Sequence, residues 1–490
     1  MSLWIRSGLV VCLFIFSFTP DVSARRIWQE NGVPLATESG LIWTECIIDD
    51  GTGMGSQGGN LIVIWEDNSS GKRRLYAQLV DTNGNIHWPP EGIPISSRTG
   101  DQFHARAVPD LSGGCLVFWM DHQGANIQIY GQHLDSSGNR LWGINGMAVC
   151  PFASDQFWHD AVSDGSGGAV VAWVDDRNDI GNLDTDLFAQ RVTKQGNRLY
   201  AATGSLVYYA STSEGPPSML SDGSGGAFLC WTNRGSSSVM DNIYAQKLNA
   251  QGVIQWGPYG ASVCTASGEQ DYLVIAHGSS GKYWVAWNDW RSGSSEIYMQ
   301  SLSSAGASEW AADGQLINGS SDHAFMPSMV SDGSGGAFVL YYAERSGSTG
   351  LFLRHFRDNS VPVSHDDMPV YEGPGLREIT AWPDLRPAPM APDGRGGCFM
   401  VWALDYGVQS SQCYVQHMPS AHRKSFGAAG MPVTTTTIFQ NYPVIMQNGV
   451  RQSIVAWHDW RRQAPQERDI YAQRFMVQPP LSGVVPLLLE

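Results

Sequence analysis

The chain has 490 residues and a formal net charge of −16, with 30 lysine and arginine residues against 46 acidic ones. This balance disfavours nucleic acids and anionic membrane surfaces as partners, and it leaves cations and neutral sugars open. Abundant glycine (55 residues) and tryptophan (19), without a long amphipathic helical pattern, favour many short strands joined by turns.

Residues 1–24 have the pattern of a secretory signal peptide. Arg6 is followed by an apolar run over residues 8–18 and by the small-residue sequence Val22-Ser23-Ala24. The run is shorter than the roughly 20 residues that a membrane span requires, so an N-terminal anchor is the weaker alternative. We therefore expect export to the periplasm or the extracellular space, with no membrane span.

From there on the sequence repeats itself eight times. An apolar run ending in an aromatic residue recurs every 54 to 61 residues, at Trp65, Trp119, Trp173, Trp231, Trp287, Tyr341, Trp402 and Trp457. Self-similarity of this period indicates one supersecondary unit copied along nearly the whole chain. A single closed array therefore replaces the several domains that length alone would suggest.

Each copy is predicted to contain four short strands. In residues 146–200, the turn Asp164-Gly165-Ser166-Gly167-Gly168 precedes an apolar strand, and Phe188 lies eight residues before a hairpin glycine. The same spacing of eight recurs in five copies, as register-locked hairpins require. The glycine-rich turn fits a tight hairpin better than a phosphate or calcium loop, because it leads into a strand and lacks alternating carboxylates.

The two ends of the repeat region complement each other. The last copy stops after its third strand, whereas the chain before the first copy carries Trp28 four residues before Gly32, the signature of a fourth strand. An N-terminal strand that completes the last sheet would close the array and hide its edges. The sequence thus predicts an all-β, single eight-bladed β-propeller over residues 25–475, with a C-terminal tail over 476–490; seven blades or an open stack are the alternatives.

Three segments carry a family resemblance. They are Trp173-Val174-Asp175-Asp176-Arg177, Trp287-Asn288-Asp289-Trp290-Arg291, and Trp457-His458-Asp459-Trp460-Arg461 followed by Asp469-Ile470-Tyr471-Ala472-Gln473-Arg474. The chain resembles exported bacterial β-propeller repeat proteins, which implies fold and export but hardly any activity. A weaker likeness to eight-bladed quinoprotein dehydrogenases fails on a shorter turn and a missing vicinal cysteine pair, and a likeness to sialidases fails because no arginine triad is recognisable.

Residues found in most copies are interpreted as scaffold, because a ligand would seldom need eight copies of one contact. This group comprises the Trp anchors, the aspartates two positions after them, the arginines that follow, and the glutamines Gln78, Gln132, Gln190, Gln246, Gln300, Gln416 and Gln473. The seven cysteines outside the signal are an odd and sparse set, so we expect mostly buried thiols with at most one or two bridges.

Function is expected on the face formed by the loops between strands 2 and 3 and by the crossings between copies, because these loops vary in length. The crossings carry an acid and an amide followed by aromatic residues. The candidate ligand-binding residues are Asp101, Gln102, Asp155, Gln156, Trp158, Glu269, Gln270 and Tyr272, together with Trp382 in the long connection after the sixth copy. An acidic and aromatic rim suits a sugar or a cation; the alternative is that each acid caps its own crossing.

Two further regions depart from the repeat. The sixth copy has Tyr341, Phe352 and Arg354 where others have Trp, Tyr and Gln, which indicates either drift or a groove. The loop after Asp175 holds Asp176, Asp179 and Asp184, and an oxygen-rich loop of this kind can bind Ca²⁺, although a solvated polar loop is the commoner case. No other cofactor is predicted.

Two functions remain open at this stage. The first is a non-enzymatic, monomeric binding module that takes a glycan or a protein at the variable loops. The second is a polysaccharide hydrolase or lyase that uses carboxylates at the mouth of the central channel. Paired rim carboxylates with perturbed ionisation would favour the enzyme.

Overall fold

The structure of the protein, a computed structural model, describes residues 24–37, 42–53, 58–179, 184–210, 212–234, 241–318, 323–345, 347–357, 367–377, 390–405, 411–436, 439–461 and 468–478. Their regular secondary structure consists of β-strands joined by turns, with one 3₁₀ turn at Ser279–Gly281. The predicted all-β class is therefore confirmed. Within the described part of the chain, no helix is long and apolar enough to span a membrane.

The strands fall into eight antiparallel sheets, called blades 1 to 8 from Ile42 onwards. In chain order they are β1 (Ala24–Arg26), β2 (Val33–Ala36), β3 (Ile42–Asp49), β4 (Leu61–Asp67), β5 (Arg74–Val80), β6 (Ile93–Pro94), β7 (Asp101–Pro109), β8 (Cys115–His122), β9 (Ile127–Leu134), β10 (Met147–Ala148), β11 (Gln156–Ser163), β12 (Ala169–Asp175), β13 (Asp186–Val192), β14 (Ser205–Tyr208), β15 (Ser213–Glu214), β16 (Ser218–Ser221), β17 (Ala227–Arg234), β18 (Asp241–Leu248), β19 (Ala261–Cys264), β20 (Gln270–His277), β21 (Tyr283–Asp289), β22 (Glu296–Leu302), β23 (Gln315–Leu316), β24 (Ala324–Ser331), β25 (Ala337–Arg345), β26 (Ser348–Phe356), β27 (Met368–Tyr371), β28 (Leu376–Arg377), β29 (Met390–Pro392), β30 (Cys398–Asp405), β31 (Ser411–Met418), β32 (Met431–Pro432), β33 (Gln440–Gln447), β34 (Gln452–Asp459) and β35 (Asp469–Val477).

The blades are arranged in a ring. The first strand of each blade contacts the first strands of the two neighbouring blades, in the closed sequence β3, β7, β11, β16, β20, β24, β29, β33 and back to β3. The core accordingly consists of eight apolar clusters, each formed between adjacent blades. Sheets that bury both faces explain why the second strands read as continuous apolar runs.

The N-terminal segment closes the ring as predicted. Both β1 and β2 pair with β35, with Arg26 opposite Phe475 and Val33 opposite Ala472. Between the two strands, the Trp28 N–H donates to the side chain of Gln473 at 3.0 Å. The prediction of an eight-bladed β-propeller closed by an N-terminal strand is thus confirmed. Of the predicted signal (residues 1–24) and tail (residues 476–490), only Ala24 and residues 476–478 are described, and Ala24 pairs with Val477 of β35.

The repeated Trp, Asp and Arg residues form one buried unit in each blade that has all three. In blade 3 the Trp173 indole N–H donates to Asp175 at 2.8 Å, and the Arg177 guanidinium binds the same carboxylate. Arg177 also stacks on Phe188 of the third strand, 3.7 Å from the ring centre. Blades 5 and 8 repeat the unit with the same partners. These residues are scaffold, as the sequence indicated.

The repeated glutamines fasten the fourth strand of their own blade. Gln190 accepts a hydrogen bond from the Tyr200 N–H at 2.8 Å and donates one to the Ala201 carbonyl at 2.9 Å. Equivalent bonds from the third strand to the last hairpin recur in the other copies. The scaffold interpretation holds, and these bonds lie within a blade; Gln132 also donates to the Ile95 carbonyl of the preceding blade at 3.4 Å. All seven cysteines in the described residues are free, and six of them are buried.

Candidate functional site

The innermost strands share a β-bulge close to the variable-loop face. In five blades the bulge contains a residue other than glycine in the left-handed region: His104, Trp158, Tyr272, Met326 and Tyr442. Such a conformation costs about 1–2 kcal/mol for a residue with a Cβ. Because the bulge recurs, its backbone is part of the architecture, and what differs between blades is the side chain presented there.

Two of the predicted site residues, Trp158 and Tyr272, occupy this presenting position in blades 3 and 5. The Tyr272 ring is 54% exposed, and Trp158 is half-buried. The structure therefore places both aromatic residues at equivalent points of the ring, two blades apart. The sequence alone showed them only as neighbours of the acid–amide pairs.

The predicted acids take a bonding role toward the preceding blade. Asp101 accepts a hydrogen bond from the Arg73 N–H at 3.0 Å and pairs with Lys72, and Asp155 accepts one from the Ile127 N–H at 2.7 Å. Burial alone would raise the pKa of Asp101, but the bonds from Arg73 and Lys72 lower it overall. Glu269 is exposed on the rim. Asp101 and Asp155 thus cap the 2–3 loop of the neighbouring blade, which differs from the capping of their own crossing.

The predicted amides lie inside the protein. Gln102, Gln156 and Gln270 are all 0% exposed. Gln156 accepts from the Ile129 N–H at 3.2 Å and donates to the carbonyls of Cys150 and Phe152. These glutamines join each blade to the one before it, and the structure leaves them no surface toward a ligand.

A pocket of about 290 Å³ opens on the variable-loop face between blades 3 and 4. We call it the blade 3–4 pocket. It is lined by Phe157, Trp158, Val174, Thr185, Ser213, Glu214, Gly215, Pro216, Thr232, Arg234 and Asp241. Two aromatic rings from the bulge of blade 3 thus face hydroxyl, carboxyl and guanidinium groups from blade 4, the mixture of apolar wall and few polar groups that is typical of small-molecule sites.

Glu214 is the unusual polar group of this pocket. It occupies the strand position of the buried glutamines, opposite Asn233, as Gln156 stands opposite Asp175. Blade 4 has therefore exchanged amide and acid between the two positions. One signal for this was in the sequence: Asn233 stands two residues after Trp231, where other copies have Asp. Glu214 itself was not among the residues predicted from the sequence.

The Glu214 carboxyl is neutral around pH 7. Burial, followed by the charge of Asp186, raises its pKa to about 9. Its Oε1 accepts hydrogen bonds from Asn233 Nδ2 at 3.2 Å and from Thr212 at 3.3 Å, whereas its Oε2 has no hydrogen-bond partner among the described residues. Glu214 lines the pocket with 5% exposure, and its Oε2 is buried, so the acid holds an unused O–H donor beneath the pocket wall.

The other charged groups of the pocket balance each other. Arg234 Nε lies 3.3 Å from the Asp241 carboxylate, and Glu214 carries no charge. The pocket therefore combines hydrogen-bonding groups with no net charge, which suits a neutral polar ligand more than an ion.

A second cluster of ionisable groups, which the sequence analysis did not identify, lies between blades 1 and 2. Glu45 Oε2 accepts a hydrogen bond from the Ala105 N–H at 3.0 Å, and the carboxyl of Glu66 lies close to that of Glu45. Burial raises the pKa of both groups, and the proximity of Glu45 raises that of Glu66 further. Arg106 lies close to Glu45 and 3.7 Å from Asp160. Two neighbouring acids of raised pKa beside a guanidinium can donate and accept protons.

The predicted calcium loop is described only in part. Asp176 accepts a hydrogen bond from the Asp155 N–H at 2.7 Å, and burial followed by the nearby acids raises its pKa. Burial and then Asp179 raise the pKa of Asp184. Within the described residues, no group of three or more His, Cys, Asp or Glu side chains is placed to hold a metal ion. Calcium binding by Asp176, Asp179 and Asp184 stays a prediction.

The departures of blade 6 satisfy one another. The carboxylate of Asp367, itself buried, is bound by the Tyr341 hydroxyl and by the guanidinium groups of Arg345 and Arg354. The polar replacements in this blade thus form a structural network around one acid. Trp382 of the following connection lies outside the described residues.

No protein-family model and no curated protein sequence matches this chain. Solved structures with a similar fold include an ulvan lyase of a polysaccharide lyase family (10% identity, TM-score 0.37, covering 91% of this chain and 95% of that one). Others are an endo-arabinase from Bacteroides thetaiotaomicron (15%, 0.30, 66% and 96%) and a eukaryotic initiation factor (8%, 0.39, 92% and 94%). At such low identity and TM-score these likenesses carry no functional argument, so the function must be argued from the site.

Proposed function

We propose that the protein is an exported binding module that takes a neutral glycan in the blade 3–4 pocket. The observation that carries this proposal is the pairing of Trp158, held on the bulge of the innermost strand, with the neutral acid Glu214 across the pocket. Apolar faces of sugar rings stack on aromatic side chains, while sugar hydroxyls exchange hydrogen bonds with groups such as Glu214 and Thr185. Export is proposed from the sequence of residues 1–24 alone.

Binding of purified protein to a glycan array, followed by calorimetry of the best ligand, tests this function. Trp158→Ala should weaken binding at least about tenfold, because a buried aromatic anchor contributes on the order of 2 kcal/mol. Tyr272→Ala is the matched control, since it removes an aromatic ring at the same bulge position of another blade. Equal binding by wild type and Trp158→Ala would contradict the proposal.

The role of Glu214 has a test of its own. If the carboxyl acts as a neutral donor, Glu214→Gln keeps a donor of the same size, and binding should persist within about threefold, since one neutral hydrogen bond is exchanged for another. Glu214→Ala should weaken binding clearly. Loss of binding in Glu214→Gln would show that a carboxylate, and not a neutral group, is needed.

The neighbouring acids Glu45 and Glu66, whose pKa values are raised, favour a second candidate function, acid–base chemistry on a polysaccharide. In this case the variants Glu45→Gln and Glu66→Gln should each abolish chain cleavage, measured as new reducing ends or unsaturated products. Glu269→Gln, which alters an exposed rim acid, should keep full activity. Absence of cleavage over a panel of neutral and acidic polysaccharides would leave only the binding function.

A further inference from the structure

The turn between the first and second strands of blade 7 differs from its copies at two positions. Blades 3, 4 and 6 carry Ser-Asp-Gly-Ser-Gly-Gly, and in each the first glycine N–H donates to the serine hydroxyl before the aspartate. Blade 7 has Pro392 and Arg395 in place of the two serines. Pro392 has no hydroxyl, so the Gly394 N–H finds no acceptor among the described residues, and Arg395 adds a guanidinium at the same turn.

The same turns are spaced differently around the ring. In blades 3 and 4 they touch, because a Cβ on Gly165 would clash with the carbonyl of Gly223. In blades 6 and 7 a Cβ on Gly333 would meet nothing within 4 Å. The space between these two turns is a pocket of about 910 Å³, here called the blade 6–7 pocket, which lies on the face opposite to the variable loops. It is lined by Ser331, Asp332, Gly333, Ser334, Gly336, His355, Arg357, Pro392, Gly394, Arg395, Gly396, Ser420 and Gln447.

Positive charge dominates this pocket. Arg357 and Arg395 are exposed, and their guanidinium groups have no hydrogen bond or ion pair with a described residue. The carboxylate of Asp332, by contrast, is already bound by two amides of its own turn and by His355 Nε2 at 2.8 Å.

Two imidazoles lie next to each other at one side of the pocket. His355 Nδ1 lies 2.9 Å from His422 Nε2. Burial, then the neighbouring charges of His355 and Arg357, lower the pKa of His422. A chain of net charge −16 thus holds in one concave place two guanidinium groups, those of Arg357 and Arg395, that have no partner among the described residues, and such a place attracts anions.

We propose that the blade 6–7 pocket binds an acidic oligosaccharide whose carboxylate or sulfate groups are held by Arg357 and Arg395. A guanidinium presents paired N–H donors that match the geometry of such oxyanions. The pocket is far larger than a single inorganic ion and falls in the range of sites for molecules of several rings. The Gly394 N–H supplies a further donor at the floor of the turn.

Calorimetry with four probes tests the proposal: hexagalacturonate, a chondroitin sulfate hexasaccharide, maltohexaose and inorganic phosphate. We expect one of the two acidic hexasaccharides to bind, with an affinity that falls as salt is added. Maltohexaose, which is neutral, should not bind in this pocket. Arg395→Ser, which restores the residue of the other three turns, and Arg357→Ala should each weaken binding about tenfold, the loss of one charge-assisted contact. Arg423→Ala removes an exposed arginine of blade 7 outside the pocket, and it should change the affinity for the acidic hexasaccharide less than about twofold.

Three results would overturn the proposal. The first is that neither acidic hexasaccharide binds. The second is that Arg395→Ser and Arg357→Ala bind as well as wild type. The third is that Arg423→Ala weakens binding as much as these two variants do, which would indicate a diffuse charge effect. Phosphate that binds as tightly as the hexasaccharides would overturn the assignment to an oligosaccharide. Trp158→Ala should leave this binding unchanged, so failure here and failure of the blade 3–4 pocket are distinguishable.

Discussion

Blades 3 and 4 are adjacent copies of one design that satisfy the same buried positions differently. In blade 3 the carboxylate of Asp175 accepts from the Trp173 indole and from Arg177, and Gln156 stands opposite it. In blade 4, Asn233 and Glu214 occupy these positions, and the Trp231 indole has no hydrogen-bond partner among the described residues. In blade 3 the buried polar groups bond one another, whereas blade 4 leaves a carboxylic acid at the wall of a pocket.

Residues that recur in most blades and residues that replace them have different roles in the propeller. A residue that recurs with its partners, such as Gln190 with the Tyr200 N–H, holds a blade together. When a residue breaks the pattern, either all its polar atoms find new partners inside the protein or at least one of them is left to bond a ligand. Asp367 of blade 6 shows the first outcome and Glu214 shows the second. Arg395 of blade 7 also belongs to the second group.

The largest effect is expected from breaking the unit of blade 3. Asp175→Asn leaves Arg177 half-paired at a site where the aspartate is 0% and the arginine side chain 8% exposed. We expect a loss of about 3 kcal/mol in the free energy of unfolding, because removal of one partner leaves a buried charge uncompensated. Urea unfolding measures this.

Asp135→Asn is the control for that change. The Asp135 carboxylate accepts hydrogen bonds within its own hairpin turn, from the backbone N–H groups of Ser137 and Asn139 and from the Asn139 side-chain amide, so about 1 kcal/mol or less is expected. An equal cost for the two variants would mean that the Trp–Asp–Arg unit is no more important than a surface turn.

The exchange between blades 3 and 4 predicts opposite pH dependences. The folded pKa of Glu214 is raised to about 9, above its unfolded value, so its contribution to stability is complete at acid pH and is lost as the pH rises towards 9. Glu214→Gln removes the need to hold a proton, and its stabilisation relative to wild type should grow by up to about 1.4 kcal/mol per pH unit between pH 5 and 8. Thermal unfolding over this pH range provides the measurement.

The reciprocal variant in blade 3 is the matched control. Gln156→Glu places a carboxyl at a position with 0% exposure, where the glutamine donates to two carbonyls. This variant should be tolerated best at acid pH, and it should destabilise the protein more and more as the pH rises. If both variants show flat pH dependence, Glu214 titrates normally and the neutral-acid interpretation of the pocket fails.

The sequence predicted the architecture because its signal is repeated eight times. The spacing of aromatic and glycine residues sets strand number and hairpin register, and the place of Trp28 revealed the closure. The site could be predicted only in part. Trp158 and Tyr272 lie at bulges near the variable-loop face, where a ligand was expected, but Gln102, Gln156 and Gln270 are buried. A repeated polar pair looks the same in sequence whether it faces a neighbouring blade or solvent. Glu45 and Glu66 lack a pattern, because their contact joins two strands at positions that differ in every copy.

The smallest expected effect is a difference in stability between alanine variants at two turn glycines, one in blade 3 and one in blade 4. Gly204 in blade 3 and Gly257 in blade 4 have φ values of +83° and +77°, so alanine strains the backbone at each by about 1 kcal/mol. A Cβ on Gly204 would also lie 2.8 Å from Trp173 Cη2, whereas one on Gly257 would meet nothing within 4 Å. Gly204→Ala should therefore cost about 1–2 kcal/mol more than Gly257→Ala in urea unfolding, because the Trp173 anchor must shift in a packed core. Equal costs would show that the anchor yields without penalty, and the close packing of indole against turn would then have no part in fixing the fourth strand.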